Sequence, residues 1–124
     1  MATTPLLVLE VTQAEPGVVA IRCTGEIDLA SVDQLEEAID WSYTPELETL
    51  RIDLSAVTFI DSSVIRCLID AHGRCSRLAT RFEVVGSDRV NRTFRLVDVR
   101  FQTPRTRSAD GAVKSIFAGR RTDL

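Results

Sequence analysis

The chain has 124 residues, enough to bury a sizeable core in one domain, and its 44% apolar and 27% charged content is ordinary for a globular protein. A net charge of −3 argues against a general nucleic-acid binder. No apolar run approaches the ~20 residues of a bilayer span, and Met-Ala-Thr-Thr-Pro ahead of a short Leu6–Leu9 run is no secretory leader, so a cytoplasmic location is expected.

In chain order, Leu6 to Thr12 reads as a strand rich in Leu and Val. Glu15-Pro16-Gly17-Val18 is a turn, because proline presets the first central dihedral and glycine permits positive φ at the second. A second strand over Val18 to Thr24 completes an antiparallel hairpin, and Gly25-Glu26-Ile27-Asp28 ends it. Ser31-x-x-Gln34 has the spacing of a capping box, and Val32, Leu35, Ala38 and Ile39 stripe a helix ending near Trp41. Thr44-Pro45-Glu46 breaks the chain. Leu50, Ile52 and Leu54 then alternate with Arg51 and Asp53, the period of a half-buried strand. A bridge from Ser55 to Ile60 leads into Asp61-Ser62-Ser63. From there Val64, Ile65, Leu68, Ile69 and His72 recur at helical spacing, with Arg66, Asp70 and Arg74 opposite, over about Ser63 to Leu78.

Arg81 to Val85 is a short strand closed by Gly86, and Ser87-Asp88 opens a helix with Val90, Phe94 and Val97 on one face. Arg89, Arg92 and Arg95 form its other stripe, which reads as a solvated face. Arg100 to Thr103 is a final strand stopped by Pro104. Thr106 to Phe117 is a last helix with Ala112, Val113, Ile116 and Phe117 inward, and residues 119–124 are a polar tail. The order β-β-α-β-α-β-α-β-α predicts an α/β domain over residues 1–124, core about 5–118. Its mixed sheet is parallel apart from the first strand, and helices pack on it.

The strand–loop–helix passage around Asp61 carries the chemistry. Ser and Asp at a helix start offer oxygens to unpaired N–H groups, and that terminus also accommodates an anion. Val57, Phe59, Ile60 and Val64 bring apolar surface beside the hydroxyls, as a docking face requires. Asp61 is expected to orient the loop. Asp28 is expected at the same edge, since parallel strands present their carboxyl ends together.

Asp53-Leu54-Ser55-x-Val57-x-Phe59-Ile60-Asp61-Ser62-Ser63 resembles the signature of the STAS domain of bacterial anti-sigma factor antagonists. Gly25-Glu26-Ile27-Asp28 and the segment 89–99 are similar to further parts of it. The resemblance implies a STAS-like fold, and Ser62 as a phosphoacceptor with Asp61, Ser63 and Asp28 in support. It implies an anti-sigma factor serine/threonine kinase as partner, a phosphoserine phosphatase that reverses the mark, and no enzymatic activity, cofactor, direct nucleic-acid contact or membrane. The family's usual glycine after the serines is Val64 here. A scaffold subunit with the same fold and no switch is the alternative. A receiver domain phosphorylated on aspartate is disfavoured, because the first strand runs into a turn and the sole lysine, Lys114, falls in an expected helix.

Three cysteines, Cys23, Cys67 and Cys75, make no disulfide framework, and reduced thiols are expected. Cys67 and Cys75 lie ~12 Å apart along one helix, too far to bridge, and Cys67 points away from His72, so no metal site is expected there. A Cys23–Cys67 redox pair stays open. Residues 1–61 carry twelve acids against Arg22 and Arg51, whereas 74–107 carry nine arginines against Glu83, Asp88 and Asp98. Such polarity fits either two solvated faces or a homodimer contact.

Overall fold

In the computed structural model, residues 7–104 are described. They form strand β1 (Leu7–Glu15), strand β2 (Val18–Ile27), helix α1 (Val32–Ser42), strand β3 (Thr49–Ile60), helix α2 (Ser62–Arg77), strand β4 (Arg81–Gly86) and helix α3 (Asp88–Leu96). The sheet runs β1-β2-β3-β4, with β1 antiparallel to β2 and the others parallel. Gly17 turns the hairpin at φ +82°, as the Pro-Gly pair predicts.

Register sets the two faces of the sheet. Ile21, Ile52 and Val84 stand in line across β2, β3 and β4, and Leu50 pairs with Phe82. With Cys23 and Leu54 they join the core that also takes Leu35 and Ile39 of α1 and Val64, Ile65 and Leu68 of α2. The alternation in β3 predicts a solvated opposite face, and here the structure differs. Arg51, Asp53 and Glu83 are fully buried. Arg51 and Glu83 face each other in register, and the Glu83 carboxylate accepts from Arg51 Nε at 2.8 Å and Arg81 Nε at 2.5 Å. Opposite charges and hydrogen bonds offset the desolvation that burial costs.

The strand β3 is longer than expected and absorbs the segment read as a bridge. Two register shifts against β2 each leave one extra residue on β3, between Asp53 and Ala56 and between Val57 and Phe59. Each extra residue advances the inward face, so Leu54, Val57 and Ile60 are buried at intervals of three rather than two. Asp53 Oδ1 steadies the first shift by accepting from the Ser55 amide (2.9 Å) and hydroxyl (2.6 Å). Ser87, just past the end of β4, satisfies two β3 carbonyls: its amide donates to Leu54 O and its hydroxyl to Val57 O. The same hydroxyl caps α3 by accepting from the Val90 amide. One serine thus fixes α3 against the far end of β3. Gly25 sits at φ +111° beside these shifts, a conformation that explains glycine there.

Other expectations shift in detail. The capping box does not form, because Ser31 Oγ turns back to accept from the Asp28 amide at 3.1 Å. Both α2 and α3 end in Schellman motifs, Thr80 N to Cys75 O and Val99 N to Phe94 O, with Ala79 and Asp98 left-handed. Ile69, His72 and Val97 are exposed rather than core. Residues 100–103 form no strand. Phe101 instead packs edge-on against Phe82 and Phe94 (centroids 6.0 and 5.2 Å), and Gln102 O accepts from the Val84 amide. The expected helix over Thr106–Phe117 and the tail lie outside the described residues.

Candidate functional site

Ile27 and Ile60 are the last paired residues of β2 and β3, so Asp28 and Asp61 leave the sheet together at its carboxyl end. Ile60 inserts into the core and hands the chain to α2, whose first residue is Ser62. Asp61 is the cap residue. Its backbone is extended and its Oδ1 accepts from the Ser63 amide at 3.0 Å and from the Ser63 hydroxyl at 2.5 Å. Its Oδ2 accepts from the Leu29 amide at 3.0 Å, which ties the β2–α1 loop to the start of α2. These bonds, the Ser63 hydroxyl first, hold the Asp61 carboxyl below its usual range against a smaller opposing effect of burial.

The two serines are therefore inequivalent. Ser63 is half-buried and its hydroxyl serves the cap. Ser62 is exposed, and its hydroxyl forms no hydrogen bond with any described residue. On the surface of α2, Ser62, Arg66 and Ile69 follow at i, i+4 and i+7, so they share one exposed stripe.

Asp28 faces its own loop. Its Oδ1 accepts from the Ala30 amide (3.0 Å) and the Ser31 hydroxyl (3.3 Å), and its carbonyl accepts from the Ser31 and Val32 amides. It reaches the site only through Leu29. Three residues expected on a docking face are corrected: Val57 is 1% exposed, Ile60 4% and Val64 0%, all pointing into the core. The register shifts in β3 account for Ile60, and the helical phase set by Asp61 accounts for Val64. Phe59, in contrast, is 48% exposed.

Sequence reasoning did not single out Leu29, an exposed apolar residue whose amide anchors Asp61. Nor did it give Arg89, Arg92 and Thr93 a place beside the site, yet they line a groove with Thr58, Phe59 and Ile60. Their i, i+3, i+4 spacing is legible, but their neighbour depends on the β3 register.

The cysteines take no part. Burial pushes the Cys23 and Cys67 thiols up to about 12, and Cys75 is raised by the same cause. All three are free. Among the described residues no His, Cys, Asp and Glu cluster is placed to hold a metal ion, and no helix is long and apolar enough to cross a membrane.

The fold is shared with known proteins. The chain is similar to a crystal structure of an anti-sigma factor antagonist from Mycobacterium paratuberculosis, with TM-score 0.66 and 28% identity over 74% of this chain and 78% of that one. It shares a fold with the Bacillus cell fate determinant SpoIIAA in its phosphorylated form, with TM-score 0.61 and 20% identity over 73% of this chain and 83% of that one. The unphosphorylated form of the anti-sigma factor antagonist SpoIIAA gives TM-score 0.63 at 19% identity, over 80% and 90% of the two chains. No curated protein matches the chain. The model of the STAS domain matches residues 11–109, a span that takes in the whole described sheet from Val11 onward and the Asp61–Ser63 helix start, and the chain belongs to the STAS domain family.

Proposed function

We propose that this protein is an anti-sigma factor antagonist. With Ser62 unmodified it binds an anti-sigma factor serine/threonine kinase and so frees the sigma factor; phosphorylation of Ser62 ends the contact. It acts as a switch subunit rather than an enzyme, and it works in the cytoplasm beside its partners. The kinase supplies ATP, Mg²⁺ and the base. The γ-phosphoryl group passes to Ser62 Oγ, the bond to the ADP oxygen breaks, and the serine proton goes to the kinase's base. A phosphoserine phosphatase restores the hydroxyl by hydrolysis.

The observation that carries this reading is the contrast between the serines. Ser62 is exposed and its hydroxyl bonds no described residue, so modifying it breaks no hydrogen bond among the described residues. The Ser63 hydroxyl donates to Asp61 Oδ1, and a phosphate there would destroy the cap. Around Ser62, the exposed Leu29, Phe59 and Ile69 supply apolar contact. Phosphorylation adds about −1.5 to −2 charges beside the ionised Asp61.

The test is a panel of kinases from the same genome, incubated with ATP and followed by phosphosite mapping of wild type and Ser62→Ala. The label should map to Ser62 and vanish in the variant. For the kinase so identified, Ser62→Asp should lose about two decades or more of affinity, with an unchanged far-ultraviolet circular dichroism spectrum. Wild-type-like affinity of Ser62→Asp would reject the switch.

A further inference from the structure

We infer that Phe59, Arg89 and Arg92 form a second, specificity-determining part of the kinase contact, which receives an acidic segment of the kinase bearing an apolar pocket for Phe59. The inference rests on the kinase partnership proposed above and adds the chemistry that the partner must present.

The second register shift of β3 turns Phe59 outward, against a neighbouring inward Ile60. One wall beside Phe59 is Arg89, Arg92 and Thr93 of α3; Glu26, its register partner on β2, lies on the other side with Thr58. The wall is pre-organised, because Ser87 bonds α3 to β3 at Leu54 and Val57. The Thr93 hydroxyl is spent on Arg89 O at 3.2 Å, which leaves the two guanidiniums as the free donors. Arg22, Arg51, Arg74 and Arg81 each meet a carboxylate. Arg89 and Arg92 meet none among the described residues, although Glu26 and Asp88 are near them in the fold.

An exposed aromatic flanked by unpaired arginines has the composition of a binding hot spot. The guanidinium fork matches carboxylates, which fixes the partner segment as acidic. Glu26 across the groove disfavours a chain of phosphates and favours a peptide with separated charges. Phe59 precedes Ser62 by three residues, so carboxylates bound at Arg89 and Arg92 stand close to the switch. A phosphate on Ser62 then meets the partner's own negative charge as well as Asp61, which sharpens release.

The experiment uses the kinase that labels Ser62 in the panel. Its affinity and association rate are measured at low and physiological salt for five forms of the full chain. These are wild type, Phe59→Ala, the double variants Arg89→Glu/Arg92→Glu and Arg89→Lys/Arg92→Lys, and Arg95→Glu. Thermal melts establish that each is folded, and Ser62 labelling at saturating kinase is followed in parallel. Phe59→Ala and the charge-reversed pair should each weaken binding about tenfold or more, the latter with loss of the salt dependence of association. The lysine pair, which keeps the charge but loses the fork, should bind with an affinity between wild type and the charge-reversed pair, and Arg95→Glu should stay close to wild type. Wild-type affinity for the charge-reversed pair, or an equal loss in Arg95→Glu, overturns the inference and leaves the proposed function standing. Failure of every kinase in the panel to bind or label the wild type overturns both.

Discussion

Asp61 performs two separable tasks, and two substitutions distinguish them. Its Oδ1 caps α2 through the Ser63 amide and hydroxyl, whereas its Oδ2 holds the Leu29 amide. Asp61→Ala removes both. Loss of an N-cap costs about 1 kcal/mol, and the exposed tether to Leu29 adds about 0.5–1 kcal/mol. A total of about 1.5–2 kcal/mol lowers the melting temperature of a chain this size by roughly 6–10 °C. Asp61→Asn keeps a good cap acceptor but sets an amide donor against the Leu29 amide, so it should lose only the tether, about half as much. Amide hydrogen exchange resolves the two tasks. Leu29 should exchange faster in both variants, and the first turn of α2 faster in Asp61→Ala alone. The pH dependence has a definite sign. The folded carboxyl titrates below its ordinary value of 3.8, so its contribution is complete above that value and is lost as pH falls through the folded one. The gap between wild type and Asp61→Ala should therefore be full at neutral pH and narrow in acid. A gap that is absent at neutral pH, or that persists unchanged below the folded value, refutes the hydrogen-bonding account of the site.

Two further outcomes follow from the packing. Val64→Gly restores the residue usual in the family but empties a site that is 0% exposed inside a helix. The lost side chain, the residual cavity and the glycine in α2 together cost about 3 kcal/mol, measurable as a lower urea midpoint at unchanged slope; a midpoint equal to wild type shows that the core relaxes around the change. The buried thiols of Cys23, Cys67 and Cys75, all titrating above their usual range, should not react with an aromatic disulfide reagent at mildly alkaline pH until the protein is unfolded. Rapid labelling of the native protein at any of them shows that burial does not shield it.

How far these properties were legible in the sequence depends on their range. Periodicity identifies the elements because an apolar stripe at Val32, Leu35 and Ile39, or alternation at Leu50, Ile52 and Leu54, is a local consequence of one buried face. The strand–helix order gives the mixed sheet by the same local logic. Side-chain direction beyond Leu54 was not legible. The register shifts that bury Ile60 and turn Phe59 out are set by pairing with β2, some thirty residues earlier in the chain. The burial of Arg51 and Asp53 was not legible for a related reason: alternation reports polarity, and burial of that polarity becomes tolerable through partners such as Glu83 on a neighbouring strand for Arg51, and Ser55 and Arg22 for Asp53. Ser31 matched a capping box by spacing, yet Asp28 offered its hydroxyl a nearer partner. Motif spacing located the Asp61–Ser63 helix start, and tertiary contacts decided which atom of it serves the fold.

That division of labour bears on how the proposed phosphorylation of Ser62 would act as a switch without disturbing the domain. Within the free protein, a phosphate on Ser62 faces the positive end of α2, worth about 0.3–1 kcal/mol. Against this stands the Asp61 carboxylate; for an assumed separation on the order of 6 Å in water, repulsion between it and about −1.5 to −2 charges is roughly 1 kcal/mol, further reduced by salt. The two nearly cancel, and Asp61 keeps its bonds to Ser63 and Leu29 because Ser62 contributes to neither. Once a partner covers the site and the effective dielectric falls to about 20, the same repulsion rises to roughly 4–5 kcal/mol. Less the roughly 1 kcal/mol already present in the free protein, that is about 3–4 kcal/mol, or roughly two to three decades of affinity. The proposed switch needs no second conformation of the STAS domain, only an aspartate that the fold keeps ionised beside a serine whose hydroxyl no described residue uses.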